Sequence, residues 1–295
     1  MQNSGRIVPG LQVRQGLTIV ELLVTIAIVG LLVAMLLPAV QRSRAAARTA
    51  TCRSHLRQIG IASQQYLEVH SQFPWYVSGG WLYSILPFVE QGELYDTLDQ
   101  IPPQQRSDAI PRIAVYLCPD DTTKRDRDVS SYAVNTGLPA ALGDFQGFVY
   151  EPVDANSVTD GLSQTVMFSE YVSNSVVQSF DVPKQVPPLR LSHDQLAQFA
   201  ADCRSAPTRQ SPRVTGGESG PVLSWPGGYN HILPPYSPTC LFNPHPAHAH
   251  TAFSHHAGGV NALSADGSVH FVASSIDREV WASLGTISGN DHASW

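Results

Sequence analysis

The order of apolar and polar residues predicts a long N-terminal helix followed by a domain of mixed structure. From Leu17 to Val40 the chain is predominantly apolar, and Glu21 is the only charged residue in these 24 positions. At about 1.5 Å of rise per residue, a helix of this length would extend for about 36 Å, which exceeds the roughly 30 Å hydrocarbon core of a bilayer. We therefore expect residues 17–40 to form a membrane-spanning helix.

A helical spacing of small and apolar side chains continues beyond Pro38. It repeats at intervals of three and four residues through Cys52, Leu56, Ile59, Ser63 and Tyr66. Because residues at these intervals share one face of a helix, the pattern predicts an amphipathic helix over residues 41–72. That face would pack against a domain formed by residues 73–295.

The rest of the chain predicts an α+β fold with antiparallel strands and irregular loops. Two short helices are expected between Gly79 and Leu98, and a last one from Asp277 to Leu284. Further patterns predict strands at residues 112–117, 129–134, 145–150 and 165–172, and a helix at residues 192–202. Residues 207–246 contain nine prolines and five glycines, which predicts long loops rather than a core element.

The clearest local signal is a β-hairpin between Val260 and Ala273. Asp266-Gly267 is a favourable two-residue turn at its centre. With that turn, Val260 would face Ala273 and Ala262 would face Phe271, so that one face of the hairpin is mostly apolar.

Composition argues against one class of partner and indicates a compartment. Lysine and arginine total 18 against 24 acidic residues, a formal net charge of −6, so no nucleic acid partner is expected. The four cysteines include no C-x-x-C pair, which is typical of disulfides outside the cytoplasm. Of the three possible pairings we favour Cys52 with Cys118 and Cys203 with Cys240. Each bond would stabilise the fold by about 4 kcal/mol.

Glu21 needs an explanation, because an ionised carboxylate in lipid is costly unless it is paired or lies at the interface. The run Gly16-Leu17-Thr18-Ile19-Val20-Glu21 resembles the type IV prepilin signal, in which a peptidase cuts after glycine and glutamate is the fifth mature residue. The resemblance implies a leader over residues 1–16, methylation of the Leu17 amine, and pairing of Glu21 with that amine on a neighbouring subunit. An ordinary signal anchor and a cleavable secretory signal are the alternatives.

The basic residues give a conflicting signal about orientation. Only Arg6 and Arg14 precede the apolar run, whereas five arginines follow it closely: Arg42, Arg44, Arg48, Arg53 and Arg57. The positive-inside rule alone would place the C-terminal part in the cytoplasm. The prepilin-like leader and the cysteine usage favour the opposite orientation. We therefore predict a single-pass protein of the inner membrane with an extracytoplasmic domain.

A second resemblance rests on His256, which nine residues separate from Asp266-Gly267. This is similar to the H-x9-DG signature of a large bacterial family of prepilin-like proteins whose exported domain has no known function. Four more segments resemble that family: Cys52–Tyr66, Ser84–Tyr95, Leu117–Asp121 and Thr159–Glu170. The resemblance covers nearly the whole chain. It implies a pilin-like fold similar to that of type II secretion pseudopilins, and it implies nothing about what the domain binds.

Only weak sequence patterns suggest that the protein binds a metal ion, and no metal site is expected. Six histidines fall within residues 231–256, beside Cys240, and histidine clusters bind zinc or copper. The weak metal candidates are His245, His248, His250, His256 and Asp266. The alternative for these histidines is a location in surface loops. A weaker calcium set is Asp160, Glu170, Asn261 and Asp266.

No pattern in the sequence predicts catalysis. Gly217–Gly220 is one residue short of the G-x-S-x-G nucleophile motif and lacks the flanking strand and helix that this motif requires. The sequence contains neither a phosphate-binding glycine loop nor a dinucleotide-binding pattern. We expect a protein that is not an enzyme, that has no catalytic residues and that needs no cofactor.

These patterns together predict a membrane-anchored, pilin-like subunit. By resemblance, its partners are a prepilin peptidase, other pilin-like subunits, an inner-membrane assembly platform and membrane lipid, in a type II secretion or type IV pilus-like filament. Two alternatives remain open. One is a membrane-tethered domain that binds a ligand or metal without polymerising, and the other is an anchored hydrolase.

Overall fold

The computed structural model describes most of the helix and the central part of the domain. The described residues are 18–75, 80–102, 105–106, 109–121, 130–137, 147–148, 151–171, 177–181, 198, 201, 203, 228–243 and 248–289, with the backbone alone for 177–181, 239–243 and 248–249. The chain forms two compact units, residues 1–46 and 47–295.

Helix α1 (Ile19–His70) begins with a capping box. The backbone N and Oγ1 of Thr18 each donate to Glu21 Oε2 at 2.9 Å, and Glu21 N donates to Thr18 Oγ1 at 3.3 Å. The box satisfies backbone N–H groups that have no partner in the first turn of a helix. The helix ends before Ser71, because the φ of 58° at Ser71 is left-handed.

In the first unit, α1 exposes apolar side chains on every side. Between Ile19 and Val40 the exposed large apolar side chains have 47% to 82% of their surface accessible. By length and composition alone, the helix is able to cross a membrane. A helix that is apolar all round needs lipid or other helices around it.

In the second unit, α1 buries the face predicted from the sequence. Its buried side chains include Cys52, Leu56, Ile59, Ser63 and Tyr66. Gly60 lies on the same face, where an added Cβ would come within 2.8 Å of Leu263 Cδ1. A glycine at this position therefore permits a close approach between α1 and the strand that carries Leu263.

The strands among the described residues of the domain form two sheets. The strands of the larger one are β1 (Tyr132–Asn135), β2 (Val166–Glu170), β4 (Gly228–Tyr229), β7 (Gly259–Ser264) and β8 (Val269–Ala273). They lie in the order β4-β1-β2-β7-β8, and only β4 and β1 pair in parallel. The strands of the smaller sheet, in spatial order, are β3 (Val177–Asp181), β5 (Thr239–Asn243) and β6 (His248–Ala249). The predicted α+β fold is confirmed.

Both faces of the larger sheet are buried, as alternation along each strand allows. One face belongs to a core shared with α1, which includes Leu56, Ile59, Tyr132, Phe168 and Leu263. The opposite face packs with a C-terminal helix, α4 (Arg278–Ser283), in a second core that includes Ala133, Val166, Ala262 and Trp281. Helix α4 confirms the last helix predicted from the sequence. The two short helices are also confirmed, as α2 (Trp81–Ser84) and α3 (Gly92–Asp99).

Two predictions of local structure are wrong. Residues 112–117 form a 3-10 turn, Ala114–Tyr116, instead of a strand. The backbone N of Leu117 bonds to the carbonyl of Ala114 at 3.1 Å, so this N–H is unavailable to a sheet. Within residues 207–246, β4 joins the larger sheet and residues 229–233 are buried, so this proline-rich stretch contributes to the core.

Two other predictions fall largely outside the described residues. In the predicted strand at residues 145–150, only residues 147–148 are described, and they form a bend. In the predicted helix at residues 192–202, residues 198 and 201 are helical. Neither element is tested over its full length.

The predicted hairpin exists, but its register is shifted by one residue. Val260 pairs with Val272 and Leu263 with Val269. Gly267 N donates to Ser264 O at 3.0 Å, and Gly267 has a left-handed φ of 89°. The loop is therefore a tight turn that ends in a left-handed glycine, rather than the two-residue turn that was predicted.

Candidate functional site

Residues that are far apart in the sequence meet beside the domain half of α1 in a group that we call the His256 cluster. It consists of His256, Glu170, Asp120 and the disulfide between Cys52 and Cys118. Helix α1 contributes Cys52, β2 ends at Glu170, and Cys118 and Asp120 follow the 3-10 turn. These residues all come from segments of the sequence that resemble the prepilin-like family. Cys118 and Asp120 share one segment, and each of the others comes from a different one.

Both ring nitrogens of His256 face carboxylates. Nε2 lies 3.0 Å from Glu170 Oε1, and Nδ1 lies 2.9 Å from Asp120 Oδ2 and 3.1 Å from Thr49 Oγ1. Burial by itself lowers the pKa of His256, but hydrogen bonds and charge attraction from Glu170 and Asp120 outweigh it, so the pKa is raised above its ordinary value. The protonated imidazolium, with both N–H groups donating, is the form that this geometry favours.

Glu170 is held in place from the neighbouring strand. The backbone N of Asn261 donates to Glu170 Oε2 at 2.8 Å, and Asn261 Nδ2 donates to Oε1 at 2.9 Å. Glu170 is only 1% exposed, so its carboxylate depends on these donors and on His256. The antiparallel pairing of Ser169 with Ala262 fixes the register of the two strands, and this register places Asn261 opposite Glu170.

The cluster is balanced in charge. Arg48 on α1 forms an ion pair with Asp120, so that Arg48 and protonated His256 offset Asp120 and Glu170. Paired and hydrogen-bonded charges are the form in which ionised groups are tolerated in a protein interior. The arrangement therefore connects α1 to the domain through charges as well as through apolar contacts.

The predicted Cys52–Cys118 disulfide is confirmed. The two Cα atoms are 4.9 Å apart, and the bond joins residues separated by 66 positions. Tyr132 OH donates to the Cys52 carbonyl at 3.1 Å. The predicted Cys203–Cys240 pair stays a prediction, because the side chain of Cys240 lies outside the described residues.

A small cleft adjoins the cluster. It has a volume of about 10 Å³ and is lined by Cys118, Asp121, Ser131, Glu170, Ser254 and His255. This volume accommodates about one water molecule. The cleft therefore has room for a water molecule or a small ion beside Cys118 and Glu170 but does not accommodate an organic substrate.

The weak metal candidates are not brought together in the part of the chain that the structure describes. His256 bonds to Glu170 and Asp120, whereas Asp266 Oδ1 accepts from Ser268 N at 2.8 Å in the hairpin loop. His250 is half-buried and its ring contacts Tyr171. His245 and the side chain of His248 lie outside the described residues.

The calcium set is likewise divided among separate hydrogen-bond networks. Glu170 and Asn261 bond to each other. Asp160 Oδ2 accepts from Thr286 Oγ1 at 2.9 Å and from Gly289 N at 2.7 Å, which fastens the segment after α4. Gly16 and Leu17, the predicted processing residues, precede the described residues.

His231 is a buried histidine, not a surface one. Its Nδ1 donates to the Trp281 carbonyl at 2.6 Å, its Nε2 accepts from Tyr229 OH at 2.9 Å, and its ring stacks on Trp281 with centroids 3.8 Å apart. Burial lowers the pKa of His231 to about 3, so the ring is neutral. The interpretation of these histidines as surface residues is wrong for His231 and His256, since both are buried.

Lowering the pH from about 6.5 to 4.5 is expected to reduce the free energy of unfolding by about 2 kcal/mol through His231 alone. Because its folded pKa is about 3, below the unfolded value, the stabilisation is present above about pH 6.5 and is lost as the pH falls towards 3. Chemical unfolding of the detergent-solubilised protein at both pH values measures it. His231→Gln should lose this part of the pH dependence and exposed His70→Gln should keep it; equal pH dependence in all three proteins would contradict the prediction.

Sequence reasoning missed the roles of Asp120 and Arg48. Asp120 lies 136 positions before His256, so no local spacing connects them. The sequence did contain one indication of the cluster. The segments that resemble the family contain Cys118, Asp120 and Glu170, and no local structure explains why these residues are there. Their convergence on His256 supplies that reason.

The structure defines the class of protein by two features. An N-terminal helix is able to enter a membrane, and the α+β domain that follows it contains a buried histidine–carboxylate cluster. Residues 41–279 match the model of the family described as a protein of unknown function, DUF1559. The chain therefore belongs to that family. No curated protein and no solved structure matches it.

Proposed function

We propose that this protein is a membrane-anchored, pilin-like subunit that a prepilin peptidase cleaves after Gly16 and methylates at Leu17. The observation that carries the proposal is the first part of α1, which exposes apolar side chains on all sides and has Glu21 as its only charge up to Val40. Such a surface suits lipid before assembly and neighbouring helices of the same kind afterwards.

In the proposed filament, of the type II secretion or type IV pilus-like kind, Glu21 pairs with the methylated amine of a neighbouring subunit. This pairing neutralises both charges in a surrounding of low dielectric constant and sets the register between subunits. The partners are the peptidase, other pilin-like subunits and an assembly platform in the inner membrane. The role is one of assembly, without catalysis and without a cofactor.

An extracytoplasmic domain is part of the proposal. The Cys52–Cys118 disulfide supports it, because disulfides persist in oxidising compartments. Two of the arginines that oppose this orientation have roles in the folded domain, since Arg48 pairs with Asp120 and Arg53 Nη2 donates to the Val269 carbonyl at 2.8 Å. Their presence after the apolar segment therefore has an explanation other than topology.

One observation favours a second candidate, a membrane-tethered domain that does not polymerise. The Glu21 carboxylate already accepts two hydrogen bonds from Thr18. A glutamate used only as a capping residue needs no second subunit. The two candidates differ in whether the charge of Glu21 is required or only its ability to accept hydrogen bonds.

Glu21→Gln separates the candidates, because glutamine also completes a capping box but carries no charge. In cells with an active prepilin peptidase and assembly platform, we expect the variant to lose at least about tenfold of its incorporation into sheared filaments, since an unpaired amine would remain in the apolar interface. Circular dichroism should show unchanged helix content. The matched control Thr18→Ala weakens the cap, keeps the charge and should still assemble.

Mass spectrometry of the membrane-extracted protein provides the second readout. The expected N-terminus is methylated Leu17. Absence of both the wild-type protein and Glu21→Gln from sheared filaments would favour the tethered domain. Equal incorporation of both would contradict the role proposed for the charge of Glu21. Retention of residues 1–16 in the presence of the active peptidase would end the pilin-like proposal.

A further inference from the structure

The sulfur atoms of the His256 cluster lie among side chains that are able to bind a metal ion. One ligand-type atom from each of Cys52, Cys118, Glu170 and His256 lies within 4.8 Å of the other three. As long as the disulfide is intact, its sulfur atoms are not thiolates and bind zinc poorly. We propose that reduction of this disulfide creates a tetrahedral zinc site formed by Cys52, Cys118, His256 and Glu170.

Two of the ligand distances are close to those of such a site. With Zn–S bonds of about 2.3 Å and Zn–N or Zn–O bonds of about 2.0–2.2 Å, the ligand atoms of a tetrahedral site lie roughly 3.3–3.8 Å apart. Cys118 Sγ lies 3.5 Å from His256 Nε2, and Nε2 lies 3.0 Å from Glu170 Oε1. Separation of the two sulfur atoms after reduction is the main movement required.

The surrounding groups orient the ligands. His256 Nδ1 faces Asp120 Oδ2 at 2.9 Å, so an Nδ1–H bond to the carboxylate would leave Nε2 for the metal. Zinc-binding histidines commonly have this carboxylate partner, which fixes the ring and raises its basicity. Asn261 holds Glu170, and Cys118 and Glu170 line the small cleft, which has room for a small ion.

The reduction is a thiol–disulfide exchange with a dithiol reductant. The dithiol gives up two electrons and two protons and becomes a disulfide, while Cys52 and Cys118 become two thiols. Zinc then replaces one proton on each thiol, and the Nε2 proton of His256 where it is present. The same four residues therefore bind zinc in the reduced protein and form a disulfide with a histidine–carboxylate pair in the oxidised protein.

The test compares oxidised and reduced full-length protein in detergent micelles, each incubated with zinc sulfate and then desalted anaerobically. A phosphine serves as reductant, because it forms no disulfide with the protein and takes up oxygen from water as it is oxidised. We expect about one zinc ion per reduced chain and less than about 0.1 per oxidised chain. Cobalt in place of zinc should give the absorption bands of a tetrahedral thiolate site.

Alkylation identifies the ligands without a substitution. Zinc should slow alkylation of Cys52 and Cys118 at least about tenfold and leave Cys203 unchanged, because a metal-bound thiolate is a poor nucleophile. Among variants, Cys118→Ala should lose the zinc and Cys203→Ala should retain it. A folded reduced protein without zinc would overturn the proposal. So would equal zinc in the oxidised protein, protection of Cys203 instead, or a reduced protein that stays unfolded when zinc is added.

Discussion

Glu170→Gln is expected to lower the free energy of unfolding of the domain by about 3 kcal/mol, because removal of one partner of a buried charge pair is costly and leaves the Nε2 side of His256 without a carboxylate. The substitution keeps the shape of the side chain but removes the negative charge beside His256 Nε2, 3.0 Å away. The backbone N and Nδ2 of Asn261 both donate to Glu170 in the native protein. In the variant, the new amide N–H group would face one of these two donors.

Chemical unfolding of the oxidised full-length protein, followed by tryptophan fluorescence, measures this effect. Glu68→Gln makes the same change at an exposed position of α1 and should alter stability by less than about 0.5 kcal/mol. In a double-mutant cycle, Glu170→Gln and His256→Gln together should cost less than the sum of the two single changes. A loss below about 1 kcal/mol for Glu170→Gln would show that the pair contributes little.

Loss of the Cys52–Cys118 bond is expected to cost about 4 kcal/mol, since the bond closes a long loop and restricts the unfolded chain. The two cysteines are 66 positions apart. The double variant Cys52→Ala/Cys118→Ala tests the effect, with unfolding measured in the presence of a chelator so that no bound metal compensates for the lost bond.

The comparison for this second prediction is the Cys203→Ala/Cys240→Ala protein, in which phosphine reduction in the presence of chelator breaks the Cys52–Cys118 bond alone and should cost a similar amount of stability. Other changes in packing are kept small, because alanine at the two buried positions removes only the sulfur atoms. Agreement between reduction and substitution to within about 1 kcal/mol would support an effect of the cross-link itself. Unchanged stability in both samples would contradict it.

The elements that could be predicted from the sequence are those whose signal is local. The buried face of α1 follows from the spacing of Cys52, Leu56 and Ile59, because a helical period survives whatever the helix packs against. The last helix was predictable for a similar reason. Asp277 Oδ1 accepts from Glu279 N at 2.8 Å, and such a cap involves only neighbouring residues.

The features that could not be predicted depend on distant residues or on fine backbone geometry. The hairpin register is shifted because Gly267 takes a left-handed conformation at the end of the turn, and an Asp-Gly pair is compatible with more than one loop length. The His256 cluster was missed because Asp120 and Glu170 are 136 and 86 positions from His256. Only the fold brings these residues into contact.

The position of the disulfide has a mechanical consequence when this protein is pulled by its N-terminal helix. Cys52 is the first fully buried residue of α1 in the second unit, so tension applied along the helix reaches a covalent bond near its entry into the domain. The 66 positions enclosed by the bond, about 220 Å of extended chain, are shielded from stretching while the two sulfur atoms stay joined.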